Sequence, residues 1–250
     1  MCIHRRSEAK VRVIEAKNKS FDVLNDEIYQ SGDELKIVEC LGQRFIASGS
    51  RGKRIVISGI PGNALGAYLA GSEIIVEGNA QDAVGDTMND GLIVIHGNVG
   101  DAVGYAMRGG IILVQGNAGY RVGIHMKEYK EKKPAIVIGG RVGSFLGEYQ
   151  AGGLIVALGL HKDDKETLGA FPCAGMHGGK LFVRGGLGTV SFPEQTTVKI
   201  ANPEDLAEIR PLIAKFCETF GYDFAKIIDE PFTLVTPNVA NPYKQMYVAN

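Results

Sequence analysis

Three eight-residue blocks of similar sequence recur at intervals of 19 residues in the middle of the chain. They are residues 78–85 (GNAQDAVG), 97–104 (GNVGDAVG) and 116–123 (GNAGYRVG). The same template extends to residues 59–66 upstream and, after a longer interval, to residues 140–147 downstream. A period near 20 residues is typical of solenoids, in which each repeat forms one coil that stacks on the next. The repeat therefore predicts an elongated fold of stacked coils.

Each repeat carries a short apolar run just before its first glycine. The seven runs are residues 55–57, 74–76, 93–95, 112–114, 136–138, 155–157 and 181–183. Short runs rich in Ile and Val, bounded by glycine, predict β-strands. Seven strands stacked in parallel about 4.8 Å apart predict a core on the order of 30 Å long. Because the hexapeptide repeat of left-handed solenoids is absent, the predicted fold class is an all-β solenoid, a right-handed parallel β-helix of about seven coils with short capping helices.

Further columns of like residues indicate which side chains face the interior. Corner glycines recur at Gly66, Gly85, Gly104, Gly123 and Gly147, and Cys173 takes the next place. An interior column is predicted from Leu69, Met88, Met107, Met126, Gln150 and Met176. Strand alternation points the middle residue of each run outward, which gives the outward column Val56, Ile75, Val94, Leu113, Val137, Val156 and Phe182. Since soluble monomers rarely expose an apolar patch of this size, we expect the terminal segments or a partner protein to cover it.

Both ends of the chain are predicted to cap the rod. We predict a single domain over residues 1–250, with an N-terminal cap (1–34), the β-helix (35–192) and a C-terminal helix and tail that pack on it (193–250). Ser20 predicts the N-cap of a short amphipathic helix. Asn202 and Pro203 predict the start of a second helix that ends at Gly221. Because Pro211 lies inside this segment, we expect the helix to be kinked or to begin later.

Two insertions lengthen the repeat, and insertions in a solenoid become loops on one side of the rod. The first is the charged stretch 127–133 after Met126, and the second comprises residues 160–166. Two interpretations stay open for each loop: it contacts a partner protein, or it is a solvated loop without a function. Whether the wider segments 124–134 and 160–177 line a channel or bind a ligand stays open.

Composition narrows the class of protein. The 27 basic and 28 acidic residues give a net charge of −1, so nothing favours nucleic acid or an anionic membrane as a partner. The longest apolar runs are strand-sized, and the first residues lack the apolar core of a secretory signal. The four cysteines form no Cys-x-x-Cys pair, which suits reduced thiols. We therefore expect a soluble cytoplasmic protein.

No pattern of side chains predicts an active site. The phosphate-binding Gly-x-x-x-x-Gly-Lys-Ser/Thr loop does not occur, and the glycine-rich residues 185–188 lack the following helix of a dinucleotide site. The five histidines lack the spacing of paired metal ligands. Asp82 and Asp101 recur at corners, where hydrogen bonds to turn backbone are routine, and Cys173 has no activating base nearby in sequence. We predict no catalytic, cofactor-binding or metal-ligating residue and no cofactor.

A succession of short motifs carries a resemblance to a known family. The motifs are residues 61–63, 78–82, 89–91, 107–110, 119–126, 145–149 and 175–179, together with the tail residues 232–237 and 242–243. In this order they resemble the C-terminal glycine-repeat (GXGXG) domain of the glutamate synthase large subunit, and more closely a stand-alone form of that domain. The same repeat occurs in one of the subunits of formylmethanofuran dehydrogenase.

The resemblance implies a β-helix without a catalytic residue or cofactor of its own. In glutamate synthase, an amidotransferase domain releases ammonia from glutamine, and an FMN and iron–sulfur domain uses it to convert 2-oxoglutarate to glutamate. The β-helix packs against both, which implies a scaffold for a glutamine amidotransferase subunit and an FMN/iron–sulfur synthase subunit. Two alternatives stay open: a component like the glycine-repeat subunit of formylmethanofuran dehydrogenase, and an independent ligand-binding or regulatory module. A homo-oligomer formed through the outward column is compatible with all three.

Overall fold

Strand order follows chain order along most of a single sheet. The computed structural model describes residues 11–160 and 166–238, and within them eleven strands form this sheet. They are β1 (Arg12–Glu15), β2 (Glu34–Leu41), β3 (Arg54–Ile60), β4 (Ala70–Val76), β5 (Asp90–Ile95), β6 (Ile111–Val114), β7 (Ala135–Ile138), β8 (Ala151–Ala157), β9 (Gly178–Arg184), β10 (Thr196–Ile200) and β11 (Phe232–Pro237). Strands β1 to β9 pair in parallel, each with the next. The predicted parallel β-helix is confirmed.

The C-terminal end of the rod is closed by two antiparallel strands that the sequence did not predict. Strand β11 pairs antiparallel with β9, and β10 pairs antiparallel with β11. Leu234 lies opposite Phe182, so β11 continues the register of the last parallel rung. The last parallel strand is therefore paired on both of its edges, which removes one open edge of the β-helix.

The interior contains the columns that the repeat predicts. Every member of the Leu/Met column is fully buried, and so are the inward strand residues Ile55, Ile57, Ile74 and Val76. Register explains this packing, because Ile55 pairs with Ile74, and Ile74 pairs with Ile93 in the next rung. Like side chains therefore stack on one another along the whole rod.

Two C-terminal helices cover most of the outward column. Helix α2 spans Pro203–Phe220 and helix α3 spans Phe224–Ile228. The five outward residues from Val94 to Phe182 are at most 2% exposed, and they form one apolar cluster with Ile209, Ile213 and Phe216 of α2. The prediction that the chain's own terminal segment covers this face is confirmed. Val56 and Ile75 are only half-buried, and Ile75 packs against the edge of this cluster.

The helix ends follow the predicted signals, with one correction. Helix α1 spans Phe21–Gln30 with Ser20 as its N-cap. Helix α2 begins at Pro203 with a capping box between Asn202 and Asp205, so of the two expected effects of Pro211, a kink or a later start, the later start is wrong. Pro211 lies on the exposed side of the helix, where the carbonyl that lacks its N–H donor faces water.

Candidate docking surface on the corners of the β-helix

Each coil turns through a five-residue corner in which the first, third and fifth residues have a left-handed backbone. In the second coil these are Ala64 (φ 62°), Gly66 (φ 65°) and Tyr68 (φ 57°). The N–H groups of Ala64 and Tyr68 donate to carbonyls of the following coil, whereas that of Gly66 donates to Ile46 of the preceding coil. A left-handed residue other than glycine costs about 1–2 kcal/mol, and these hydrogen bonds between coils offset that cost.

The third corner position is glycine in five of the seven corners, and in four of these an isoleucine methyl group fills the space of the missing side chain. In the first corner this position is Ala47, with a φ of 57°. A Cβ on Gly123 would lie 2.5 Å from Cδ1 of Ile155. Near the end of the rod Leu181 replaces isoleucine at this register, and a Cβ on Gly147 would lie 3.7 Å from the nearest isoleucine methyl group. Cys173 takes the glycine place in the last corner, with a φ of 58°. Strand β9 is the last parallel strand of the described residues, so no further parallel coil crowds this corner with an isoleucine.

The outward side of these corners carries most of the exposed aromatic side chains. We define the corner face as the five-residue corners that begin at residues 45, 64, 83, 102, 121, 145 and 171, the residue before each, and helix α1. Nine phenylalanine and tyrosine side chains of the described residues are exposed, and eight lie on this face: Phe21, Tyr29, Phe45, Tyr68, Tyr105, Tyr120, Tyr149 and Phe171. The ninth, Tyr129, lies in the first insertion. Such a concentration on one edge marks the corner face as a candidate interaction surface.

Two side-chain ladders organise the C-terminal half of the corner face. In the first, the ring centroids of Tyr105 and His125 lie 6.0 Å apart, and those of His125 and Tyr149 lie 5.1 Å apart in a stacked arrangement. In the second, Phe145 stacks on Phe171 at 5.4 Å. The stacked pairs follow the rung spacing, because His125 and Tyr149 both occupy the fifth corner position and Phe145 and Phe171 both occupy the first. Tyr105 is the fourth residue of its corner and meets His125 edge to face. Stacking holds the rings in place before any partner binds.

Arg121 extends the second ladder and is itself fixed. Its Cζ lies 5.0 Å from the ring centroid of Phe145, and its Nε donates to Oε2 of Glu148 at 3.0 Å. Neither ladder was predicted from the sequence. For all members except Tyr105, the signal is a spacing of two residues on either side of the third corner position, as in Arg121, Gly123 and His125.

Helix α1 forms the N-terminal end of the corner face. Asn25 fixes the helix to the first corner, because its Nδ2 donates to the carbonyl of Phe45 at 2.9 Å. The rings of Phe21 and Phe45 meet edge to face at 5.7 Å, and the hydroxyl of Tyr29 donates to the carbonyl of Ser48. Between α1 and the ladders, the first position of three successive corners is alanine. The corner face is therefore shallow in the middle and aromatic at both ends.

The corner carboxylates form backbone hydrogen bonds, as predicted. Oδ1 of Asp82 accepts from the N–H of Asp101 at 2.9 Å, and Oδ1 of Asp101 accepts from the N–H of Tyr120 at 2.8 Å. Asn98 makes a similar bond to the N–H of Asn117 at 2.7 Å. Each polar side chain satisfies a donor one coil further along, which stabilises the stack and explains these residues without a catalytic role.

The first insertion is tied to its neighbours. Lys132 forms an ion pair with Asp90 at 2.8 Å and holds the pKa of that carboxyl below its usual value. Lys133 pairs with Glu208 of α2 at 2.9 Å, and Glu128 accepts from the N–H of Gly153 at 3.1 Å. These bonds favour a structural role for residues 127–133. Most of the second insertion, residues 161–165, lies outside the described residues.

Two unusual interior groups lie near the last corner. Gln150 interrupts the methionine column, and its Nε2 donates to the carbonyls of Gly152 and Gly153, while its buried Oε1 accepts no hydrogen bond from the described residues. The thiol of Cys173 is fully buried, and burial raises its pKa to about 12. A thiol that stays protonated at neutral pH is a poor nucleophile. Cys173 is therefore a packing residue in the folded protein.

The histidines and carboxylates outside the corner face show no arrangement for metal chemistry in the described ranges. No group of three or more His, Cys, Asp or Glu side chains is placed there to hold a metal ion. The ring of His96 packs against Phe220 of α2 at 5.1 Å, and a ring nitrogen of His177 lies 3.1 Å from the carbonyl of Gly175. None of the helices in this part of the chain has the length and apolar character needed to cross a membrane.

Comparisons with known proteins agree with this architecture. The family model for the GXGXG motif matches residues 33–241, which include strands β2 to β11. The chain is also 41% identical over 249 residues to the uncharacterized protein MJ1350 of Methanocaldococcus jannaschii. That match covers 94% of this chain and 95% of the archaeal protein. The chain therefore belongs to the GXGXG motif family.

Proposed function

We propose that this chain is a non-catalytic scaffold subunit of a glutamate synthase-type complex in the cytoplasm. In this role it docks a glutamine amidotransferase chain and an FMN/iron–sulfur synthase chain. Membership of the GXGXG family supports the proposal, because this domain family is found in glutamate synthase. The fold suits a spacer, since a rod of stacked coils offers long surfaces at fixed separations.

The observation that carries the proposal is the concentration of exposed aromatic side chains on the corner face. Helices α2 and α3 cover most of the outward column of the main sheet, so that face is largely occupied by the chain itself. The corner face still exposes Phe171 at 65% and Tyr68 at 57%. Aromatic residues and arginine are enriched in protein interfaces and at their energetic hot spots. The ladders of Tyr149 and Phe171 supply rigid rings of this kind.

The proposal is tested by affinity purification of the tagged full chain from its own host at native expression. Mass spectrometry identifies the proteins that accompany the wild type, a double variant Tyr149→Ser with Phe171→Ser, and the control Tyr129→Ser. Tyr129 is exposed to 51% but lies outside the corner face, so the control removes an equivalent aromatic ring. We expect amidotransferase and FMN/iron–sulfur proteins with the wild type and the control, and their loss from the double variant.

The other outcomes are equally informative. Retention of these partners by the double variant would contradict docking through the corner face. Co-purification of formylmethanofuran dehydrogenase subunits in place of the expected partners would contradict the glutamate synthase assignment and assign the chain to that complex. A chain that is recovered alone, or bound only to itself, would contradict the scaffold proposal.

A further inference from the structure

An apolar cavity lies between helix α1 and the first two corners, and we call it the α1 cavity. Its volume is about 470 Å³, which is within the range of small-molecule sites. Four aromatic rings line it: Phe21 and Tyr29 from α1, and Phe45 and Tyr68 from the corners. These rings are between 40% and 57% exposed, so they present aromatic surface to an incoming group.

Two carboxylates stand at the wall of the same cavity. Asp22 and Asp26 line it, whereas no lysine or arginine of the described residues does. Lys19, which precedes α1, pairs with Glu27 at 2.7 Å. Arg44 lies with Lys19 and Phe21 at the adjoining pocket and does not line this one. Hydrogen bonds from Ser20 and from backbone N–H groups lower the pKa of Asp22, so this carboxylate is charged at neutral pH. Aromatic rings and carboxylates together create a surface that favours a positive charge.

A buried amide completes the wall. Asn25 is only 8% exposed, and its Nδ2 donates to the carbonyls of Phe21 and Phe45 at 2.8 and 2.9 Å, which fixes the orientation of the amide. Its Oδ1 accepts no hydrogen bond within the described part of the chain. This oxygen is closed to the cavity, so the amide's part is to hold α1 and the ring of Phe21 in place against the first corner.

We propose that the α1 cavity binds an alkylguanidinium or alkylammonium group. The apolar stem of the ligand lies against the rings of Phe45 and Tyr68, and the charged head lies beside Asp22 and Asp26. An arginine or lysine side chain of a protein and a free small amine share this chemistry. The cavity lies at the N-terminal end of the corner face and shares Tyr68 with the scaffold proposal. Binding of a small ligand is measured on the chain by itself, so its outcome does not depend on whether a partner chain docks.

The test is isothermal titration calorimetry on the full chain with N-acetyl-arginine amide. The uncharged isostere N-acetyl-citrulline amide is the ligand control. The protein variants are Asp22→Asn with Asp26→Asn, and the matched control Glu218→Gln, which removes an exposed carboxylate from α2. We expect binding of the arginine derivative, with the dissociation constant raised about fivefold for each carboxylate removed. We expect Glu218→Gln to leave the dissociation constant unchanged.

Several results would overturn the proposal. They are no binding of the arginine derivative, equal binding of the citrulline derivative, or equal binding by the Asp22/Asp26 variant. Far-UV circular dichroism shows whether each variant is folded, and Tyr68→Leu gives a second, uncharged test of the cavity. We expect this variant to weaken binding about two- to fivefold through loss of the cation–π contact. Tighter binding of spermidine than of the capped arginine assigns the site to a free amine, and the reverse order assigns it to a protein side chain.

Discussion

A Cβ on Gly85 would lie 2.5 Å from Cδ1 of Ile112, which belongs to the second strand after this corner. Gly85 also has a left-handed backbone, with a φ of 70°. The glycine and the isoleucine therefore form one packing unit that spans two coils. The same contact recurs at the neighbouring corners, between Gly66 and Ile93 and between Gly104 and Ile136. The sequence repeat therefore preserves this contact as well as the strands.

We predict that Gly85→Ala lowers the free energy of unfolding by about 2–4 kcal/mol, as the sum of backbone strain and overpacking. Ile112→Val removes the crowding Cδ1 and alone costs about 1 kcal/mol. Because the two changes act on one contact, the double variant should be about 1–2 kcal/mol more stable than the sum of the single effects. Urea denaturation of the four proteins measures this coupling, and strict additivity would contradict it. Gly147→Ala is the milder control, because its Cβ would lie 3.1 Å from Oε1 of Gln150 and 3.7 Å from the nearest isoleucine methyl group, with a similar left-handed backbone.

The hydrogen bond from the N–H of Asn117 to the side chain of Asn98 gives a second prediction. Asn98→Ala leaves the N–H of Asn117 without its acceptor, and we expect a loss of about 1 kcal/mol in the free energy of unfolding. Asn98→Asp keeps an acceptor oxygen in the same place, as Asp82 and Asp101 show in the neighbouring column. The Asp variant should therefore stay within about 0.5 kcal/mol of the wild type at neutral pH. Equal destabilisation by Ala and Asp in urea denaturation would mean that the hydrogen bond is not the cause.

A substitution of Phe216 tests whether helix α2 shields the outward column from water. It is fully buried, and a Cβ on Gly139 would lie 2.8 Å from its Cζ. Phe216→Ala should cost about 3–5 kcal/mol and increase the binding of a hydrophobic dye, because the apolar strand face opens. Glu218→Ala on the exposed side of the same helix should change stability by less than about 0.5 kcal/mol. Dye binding at the wild-type level in the Phe216 variant would show that α2 does not protect this face.

Cys173 gives a prediction about reactivity. With a pKa of about 12, its thiolate fraction at pH 8 is about a thousandfold lower than that of an ordinary thiol. Iodoacetamide should therefore leave Cys173 unmodified in the native protein and modify it in urea, as peptide mass spectrometry can determine for this residue separately. Rapid labelling under native conditions would show that the last corner opens locally.

The same thiol makes stability depend on alkaline pH. The folded pKa of about 12 lies above the ordinary value of 9.0, so between these values the folded state holds the proton more tightly than the unfolded state. The free energy of unfolding should therefore fall as pH rises above about 9. Cys173→Ala removes this contribution, and its stability should fall less steeply over the same range. Parallel slopes for the two proteins would contradict the assignment.

The inner architecture was predictable because a solenoid repeats its contacts at a nearly constant separation along the chain. Ile74, Ile93 and Ile112 pair in successive rungs, so the sequence period and the spatial period coincide. The corner glycines were predictable for the same reason. Pro211 was misjudged in part, because the strong capping box at Asn202 starts the helix before the proline.

The corner face and the α1 cavity were harder to predict from the sequence. Tyr105, His125 and Tyr149 are separated by 20 and 24 residues and not by the period of 19. Tyr105 lies one position earlier in its corner, and an insertion lengthens the interval between His125 and Tyr149. Only the stacking of the coils places their rings 5 to 6 Å apart. The α1 cavity likewise joins a helix to two corners that are distant in the chain.

The repeat in the amino-acid sequence was enough to establish the coil: its strands, its inward columns, its corner glycines and the need to cover an apolar outward column. Tertiary packing was needed to establish that α2 supplies this cover, that β11 closes the rod in antiparallel fashion, and that the aromatic side chains share one edge. The difference arises from whether a contact recurs in every coil or occurs once. Contacts between successive coils recur with the repeat and leave a periodic signal, whereas the docking of a helix or a closing strand occurs once and leaves none.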